Sequence, residues 1–210
     1  MDEKKNVQGL IDLGKLVLSF AKVNRVTMHE DGVRYESDTD HTVMLSLCAC
    51  SLASKLYSEK LDIGLVAQFA IVHDIVEVYA NDTNSINLGS EEKGEKDERE
   101  AESLARIISG FQNVYPWLPE TIVRYESKST PEARFVKTLD KVMTRITNIH
   151  NKGAALRALG TTREEITHHF EKQFAVYKQL CGEEFPELFT ITEELNRIML
   201  NEIDVKVKSI

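Results

Sequence analysis

An all-α fold, a helical bundle, is predicted for this chain, and three observations predict it. Apolar residues recur at helical spacing along most of its length, alternating strand-like runs are scarce, and several segments open on side chains suited to capping a helix. At 210 residues, 42% apolar and 29% charged, with four prolines and ten glycines, the chain can bury one continuous core. No internal repeat and no linker-like stretch divides it. A single domain over residues 1–210 is expected, with its core over about 7–150 and C-terminal helices over about 162–200 packed on that core.

Residues 7–23 place Leu10, Leu13, Val17, Phe20 and Ala21 on one stripe, which predicts a first helix. A turn around Glu30-Asp31-Gly32 leads to a second, from about His41 to Tyr57. Its apolar positions are dense (Met44, Leu45, Leu47, Cys48, Leu52), so it should be central. Asp62 can cap a third helix from Ile63 to about Tyr79. Asn84 to Lys96 is polar, contains Gly89 and Gly94 and lacks periodicity, which reads as a loop or lid. A charged helix over Glu95–Ile108 follows, then a short one that holds Trp117 and ends near Ser127. Thr130-Pro131-Glu132 is a helix start: a capping hydroxyl, proline at the first helical position and an acid in the first turn. That helix carries Phe135, Val136, Leu139, Val142, Met143, Ile146 and Ile149 on its inner face. Thr162 with Glu165 forms a capping box for a helix reaching Leu180, and Pro186 starts a last helix to Leu200. The final DVKVKSI reads as a tail or an added strand.

Bulk properties exclude several functions. The net charge of −8 argues against a broad footprint on a nucleic-acid polymer, although a metal or arginine can invert the field inside one pocket. No apolar run approaches bilayer-spanning length, so no membrane association is expected. The N-terminus MDEKKNVQGL lacks the basic-then-apolar layout of a signal peptide, and the three cysteines read as reduced thiols. The expected location is cytoplasmic. There is no P-loop, no GxSxG and no CxxC.

The chemistry concentrates in AIVHDIVEVYAND, residues 70–82, an otherwise apolar run holding His73, Asp74 and Glu77. Buried charges need partners or a metal. On a continuous helix, His73 and Glu77 are one turn apart, with Asp74 beside them. Asp140, in FVKTLDKVM, lies on or beside the apolar stripe of its own helix, and His41 opens the second helix on the side of Met44, Leu45 and Cys48. Each has a plain structural reading. His73 can be a core histidine bonded to a neighbour, Asp140 an edge carboxylate paired with Lys137 or Lys141, and His41 a solvent-facing helix start. Together they are two imidazoles and two carboxylates, a mixed set suited to Mn, Co, Fe or Zn better than calcium. Four protein ligands leave positions open on a six-coordinate ion.

The order His41, His73-Asp74, Asp140 matches the H…HD…D signature of HD-domain metal-dependent phosphohydrolases. The stretches NRV (24–26), YESDTDHT (35–42), HDIVEVYANDT (73–83) and PEARFVKTLDK (131–141) resemble the YfbR-like 5′-deoxynucleotidases and their eukaryotic HD-domain relatives. The resemblance covers roughly residues 7–150. It implies a single divalent ion (Mn, Co, Fe, Zn or Mg) on His41, His73, Asp74 and Asp140, Glu77 as the catalytic glutamate, Asp82 as an acid contacting the sugar, and Arg25 on the substrate phosphate. It also implies a homodimer. Two departures stand out. Asn81 occupies the place of a glycine, and Val26 replaces a tryptophan after the arginine, which would open the nucleoside pocket.

The expected activity is removal of the 5′-phosphate from deoxyribonucleoside monophosphates. One alternative is triphosphate release from a dNTP such as dATP on the same fold. Another, of a different class, is nucleotide sensing without turnover.

Overall fold

A computed structural model of the protein describes residues 3–81, 90–203 and 205. Among these, helices α1 (Glu3–Phe20), α2 (Asp38–Leu56), α3 (Ile63–Val72), α4 (Glu77–Ala80), α5 (Ser90–Phe111), α6 (Trp117–Glu126), α7 (Pro131–His150), α8 (Ala154–Ala158), α9 (Arg163–Cys181) and α10 (Pro186–Glu202) are joined by one small hairpin, β1 (Asn24–Met28) and β2 (Tyr35–Ser37). The all-α expectation holds.

Helix starts follow their capping chemistry. Thr130 accepts a hydrogen bond from the backbone N–H of Ala133 ahead of Pro131. Asp62 accepts from Leu65, and Thr162 and Glu165 form the reciprocal box. Ser37 does the same with Asp40, so α2 begins three residues before His41.

Other boundaries differ from expectation. The buried face of α1 is Gly9, Leu16 and Phe20, whereas Leu10 and Val17 of the predicted stripe are exposed. That helix is apolar around much of its circumference, so spacing alone did not choose the face. The hairpin was not anticipated, because strands of three to five residues are too short to show alternation. Its turn rests on Gly32 at φ 67° and on Asp31 Oδ1, which accepts from the backbone N–H groups of Val33 and Arg34.

The third helix is not continuous to Tyr79. It stops at Val72, runs through tight turns over 73–76 and resumes as α4. The window Ile63–Ala80 does reach the apolarity and length of a membrane-crossing helix, contrary to the expectation for this chain. It is 61% buried inside the fold and broken at its charged residues, which makes it the packed centre of the bundle. Residues 90–96, expected in a loop or lid, are the first turns of α5. The remainder of that segment, 84–89, lies outside the described residues, as does most of DVKVKSI. α8, which was not foreseen, starts at Gly153 with φ 73°.

The main core cluster joins α1–α3 and α5–α7 to Cys181, Phe185, Leu188 and Phe189 near the C-terminus, and a second, smaller one gathers Leu156, Ile166, Phe170, Met199 and Ile203. Tyr57, Phe135 and Phe185 pack edge-to-face in a closed trio, with centroids 5.2–5.6 Å apart. Arg145 of α7 is also buried. It donates through Nε to Asn196 of α10 at 2.9 Å and stacks 3.8 Å over the Phe170 ring of α9. Burial brings its guanidinium down to about 9. Phe135→Ala is expected to cost about 3–5 kcal/mol, as a fully buried ring leaves a cavity among rings that cannot collapse together. Denaturant unfolding, read as a shift in midpoint at unchanged slope, checks it.

Candidate metal centre

Three elements bring the polar groups of the core to one point. His41 comes from the second turn of α2, His73 and Asp74 from the turn that ends α3, and Asp140 from the middle of α7. All four are buried, with His41 and Asp140 each 1% exposed. One ligand-capable atom from each lies within 4.8 Å of the others. His41 Nε2 is 3.0 Å from Asp140 Oδ1. The His41 and His73 rings sit 5.2 Å apart. His41 is therefore no solvent-facing helix start, and Asp140 is no edge carboxylate. The lysines named in that alternative are nonetheless there: Lys141 Nζ is 2.8 Å and Lys137 Nζ 3.8 Å from Asp140 Oδ2.

The break after Val72 matters locally. It lets His73 Nδ1 donate to the Ala70 carbonyl at 2.8 Å, which fixes the tautomer and leaves the Nε2 lone pair facing the cluster. That Nε2 stands 2.9 Å from Asp74 Oδ2 and 3.8 Å from Asp140 Oδ1. A buried imidazole nitrogen facing two carboxylates is an arrangement that a shared cation would satisfy. The donor set and its burial fit a divalent ion held by His41, His73, Asp74 and Asp140.

The electrostatics agree. Burial holds His41 below the ordinary histidine range, although its bond to Asp140 pulls the other way. For His73, burial is outweighed by Asp74 and Asp140, and its affinity for a proton rises. Asp74 and Asp140 resist the upward push of burial. His73 holds the first well below the carboxylate range, and Lys141 and His41 do so for the second. Two carboxylates kept ionised beside imidazoles in a dry interior are ready for a metal.

Around this cluster stands a charged collar. Glu77, 5% exposed, opens α4, and Lys96 of α5 lies 3.6 Å from its Oε1. Arg25 on β1 places Nη1 2.8 Å from Asp74 Oδ2 and 3.3 Å from Asp38 Oδ1, with Glu36 4.0 Å from its Nε. Val26, beside it, is half-buried on the same strand. Asn81 adopts φ 61° and ψ 147°, outside the left-handed helical region that asparagine tolerates and close to one that glycine alone takes readily, so the departure from glycine is a strained one. Asp82 lies outside the described residues. Glu36 and Asp38 were missed by sequence reasoning. Glu36 and Asp38 sit within YESDTDHT, where an acid at a helix start reads as a complement to the helix dipole. Elsewhere, His29 Nε2 lies 3.1 Å from Asp40 Oδ2, and His150 is solvent-facing at the end of α7.

A helical bundle enclosing a buried centre of two histidines and two aspartates, contributed in the order H, HD, D, is the class that fold and site define. The chain belongs to the HD-domain family, whose profile matches residues 20–180. It is similar to the human 5′-deoxynucleotidase HDDC2 (Homo sapiens), 26% identical over 136 residues, 64% of each chain. The Bos taurus 5′-deoxynucleotidase HDDC2 is 27% identical over 139 residues, 65% of each chain. The chain thus spans just under two-thirds of the length of these relatives. Its backbone resembles the crystal structure of a predicted metal-dependent phosphohydrolase from Magnetospirillum magnetotacticum, with TM-score 0.73, 22% identity, and 94% and 97% of the two chains covered. A conserved hypothetical protein from Pyrococcus furiosus shares the fold at TM-score 0.58 and 22% identity, over 89% and 99% of the two chains.

Proposed function

We propose that the protein is a metal-dependent phosphohydrolase that removes the 5′-phosphate from deoxyribonucleoside monophosphates. The observation that carries this reading is the convergence of His41, His73, Asp74 and Asp140 within 4.8 Å in the core, with a buried glutamate and an arginine alongside. A bound divalent ion would polarise a phosphoryl oxygen and lower the pKa of a water. In this reading Glu77, buried beside Asp74, would take a proton from the attacking water or hand one to the leaving 5′-oxygen. Arg25 sets a planar positive group at the rim of the same site, where phosphate oxygens meet it. Lys137, Lys141 and Lys96 add positive charge around a centre that must accept an anion within an acidic protein. The deoxynucleotide preference is supported by the two relatives' names.

The collar of lysines also gives weight to a second reading, hydrolysis of a dNTP with release of triphosphate. A panel of deoxynucleoside mono- and triphosphates, assayed with added Mn²⁺ or Co²⁺, separates the two. Free phosphate from monophosphates is expected. Triphosphate as the product would move the assignment to the second reading, and no metal-dependent release from any member would remove both.

A further inference from the structure

The acidic groups of the site form two adjoining seats for a cation. The first is the His41, His73, Asp74, Asp140 set. The second is made by Asp38, Asp74 and Glu77, all buried, whose oxygens also lie within 4.8 Å of one another. Asp74 belongs to both. A carboxylate shared between two seats is the arrangement that bridges the ions of two-metal hydrolases, which stand about 3.5–4 Å apart. In this protein, however, a side chain already reaches the second seat. Arg25 Nη1 bonds Asp74 Oδ2 at 2.8 Å and Asp38 Oδ1 at 3.3 Å. The Arg25 side chain is only 11% exposed, and that of Asp38 is 0% exposed.

We propose that Arg25 is a built-in substitute for a second metal ion, and that Asp38 is the positioning residue that holds it in that seat. The inference rests on the proposed metal centre and deepens it: the protein would work with one exchangeable ion and one permanent cation. Several facts favour this over an ordinary surface arginine. The strand β1 is short and closed by a hairpin, so Arg25 enters from a fixed backbone. Its charge meets Asp38 and Asp74 from different elements, with Glu36 on its Nε side. Asp38 occupies the first position of α2, directly after the Ser37 cap, so the carboxylate that meets the arginine is carried on a fixed helix start. An arginine cannot dissociate or lose its proton at neutral pH. The second positive charge is therefore always present, and a planar fork is set beside whatever oxygen the metal polarises.

The test counts ions, not turnover. Wild-type protein and the variants Arg25→Lys, Arg25→Ala and Arg25→Ala/Asp38→Asn are dialysed against saturating Mn²⁺, and bound manganese is measured by elemental analysis. About one ion per chain is expected in wild type and in Arg25→Lys, about two in Arg25→Ala, and about one again in the double variant, which lacks a ligand for the second seat. The Arg25→Ala protein should also show the electron paramagnetic resonance signature of two exchange-coupled Mn²⁺ ions, absent from wild type. A single ion in folded Arg25→Ala overturns the inference. So do two ions in wild type, a result that needs no variant to fold. No bound ion in wild type would instead remove the metal centre itself, and both readings with it.

Discussion

Glu77→Gln is expected to lower kcat by about 10²–10⁴-fold while leaving bound metal and thermal stability near those of wild type. Glutamine keeps the volume and one acceptor oxygen of this buried side chain but cannot carry a proton. The backbone there is already fixed: the Glu77 N–H donates to the Asp74 carbonyl at 2.8 Å, so α4 starts where it does whatever the side chain. Glu77 groups with Asp38 and Asp74, and is not one of the four residues that converge on the first seat. Removing its charge should therefore spare the metal. Lys96, 3.6 Å from Oε1, also pairs with Glu100 at 3.3 Å and is partly exposed, so it keeps a partner in the variant. Steady-state phosphate release together with metal analysis checks the pair of outcomes. Metal loss matching that of a His73 variant would make Glu77 a ligand and leave the site without its base.

Much of this site was legible in the sequence because its chemistry violates local expectation. Ionisable groups inside apolar helical runs have to be paired or ligated, and His73, Asp74 and Asp140 were conspicuous for that reason. Helix starts were legible too, since Thr130, Asp62 and the Thr162–Glu165 box cap as their side chains dictate. What was hidden depends on long-range packing. Asp38 reads as a helix-dipole acid until the hairpin lays Arg25 against it, and that hairpin is too short to announce itself. The exposed side of α1 could not be told from the buried one, since Leu10 and Leu16 differ only in what packs over them. The turn at 73–76 was masked by a run of helix-compatible residues, yet it is this turn that frees His73 Nδ1 to bond Ala70.

Removing the metal should destabilise the wild-type protein and leave a His73→Ala variant unaffected, because the variant has no ion to lose. A ligand bound only by the folded state adds RT ln(1 + [L]/Kd), about 2.7 kcal/mol at a hundredfold excess over Kd. For a chain of this size that corresponds to roughly 5–10 °C in Tm. A chelator should thus lower the melting temperature of wild type by about that amount, and Mn²⁺ should restore it. His73→Ala should melt at one temperature with or without chelator, with phosphohydrolase activity lost. The metal-free fold should persist, since Asp140 keeps Lys141 at 2.8 Å as a counter-charge and His41 at 3.0 Å as a hydrogen-bond partner. Asp140→Ala should behave differently from His73→Ala. It loses the ion and also strips Lys141 and Lys137 of their carboxylate and His41 of its hydrogen-bond partner, so its stability should fall below that of metal-free wild type. The fall should be smaller than the roughly 3–5 kcal/mol of a fully buried pair, because Lys137 and Lys141 are partly solvated. Differential scanning calorimetry with and without chelator reads all three proteins. If wild type ignored chelator and Mn²⁺ alike, the four converging side chains would be a hydrogen-bonded core and not a metal centre.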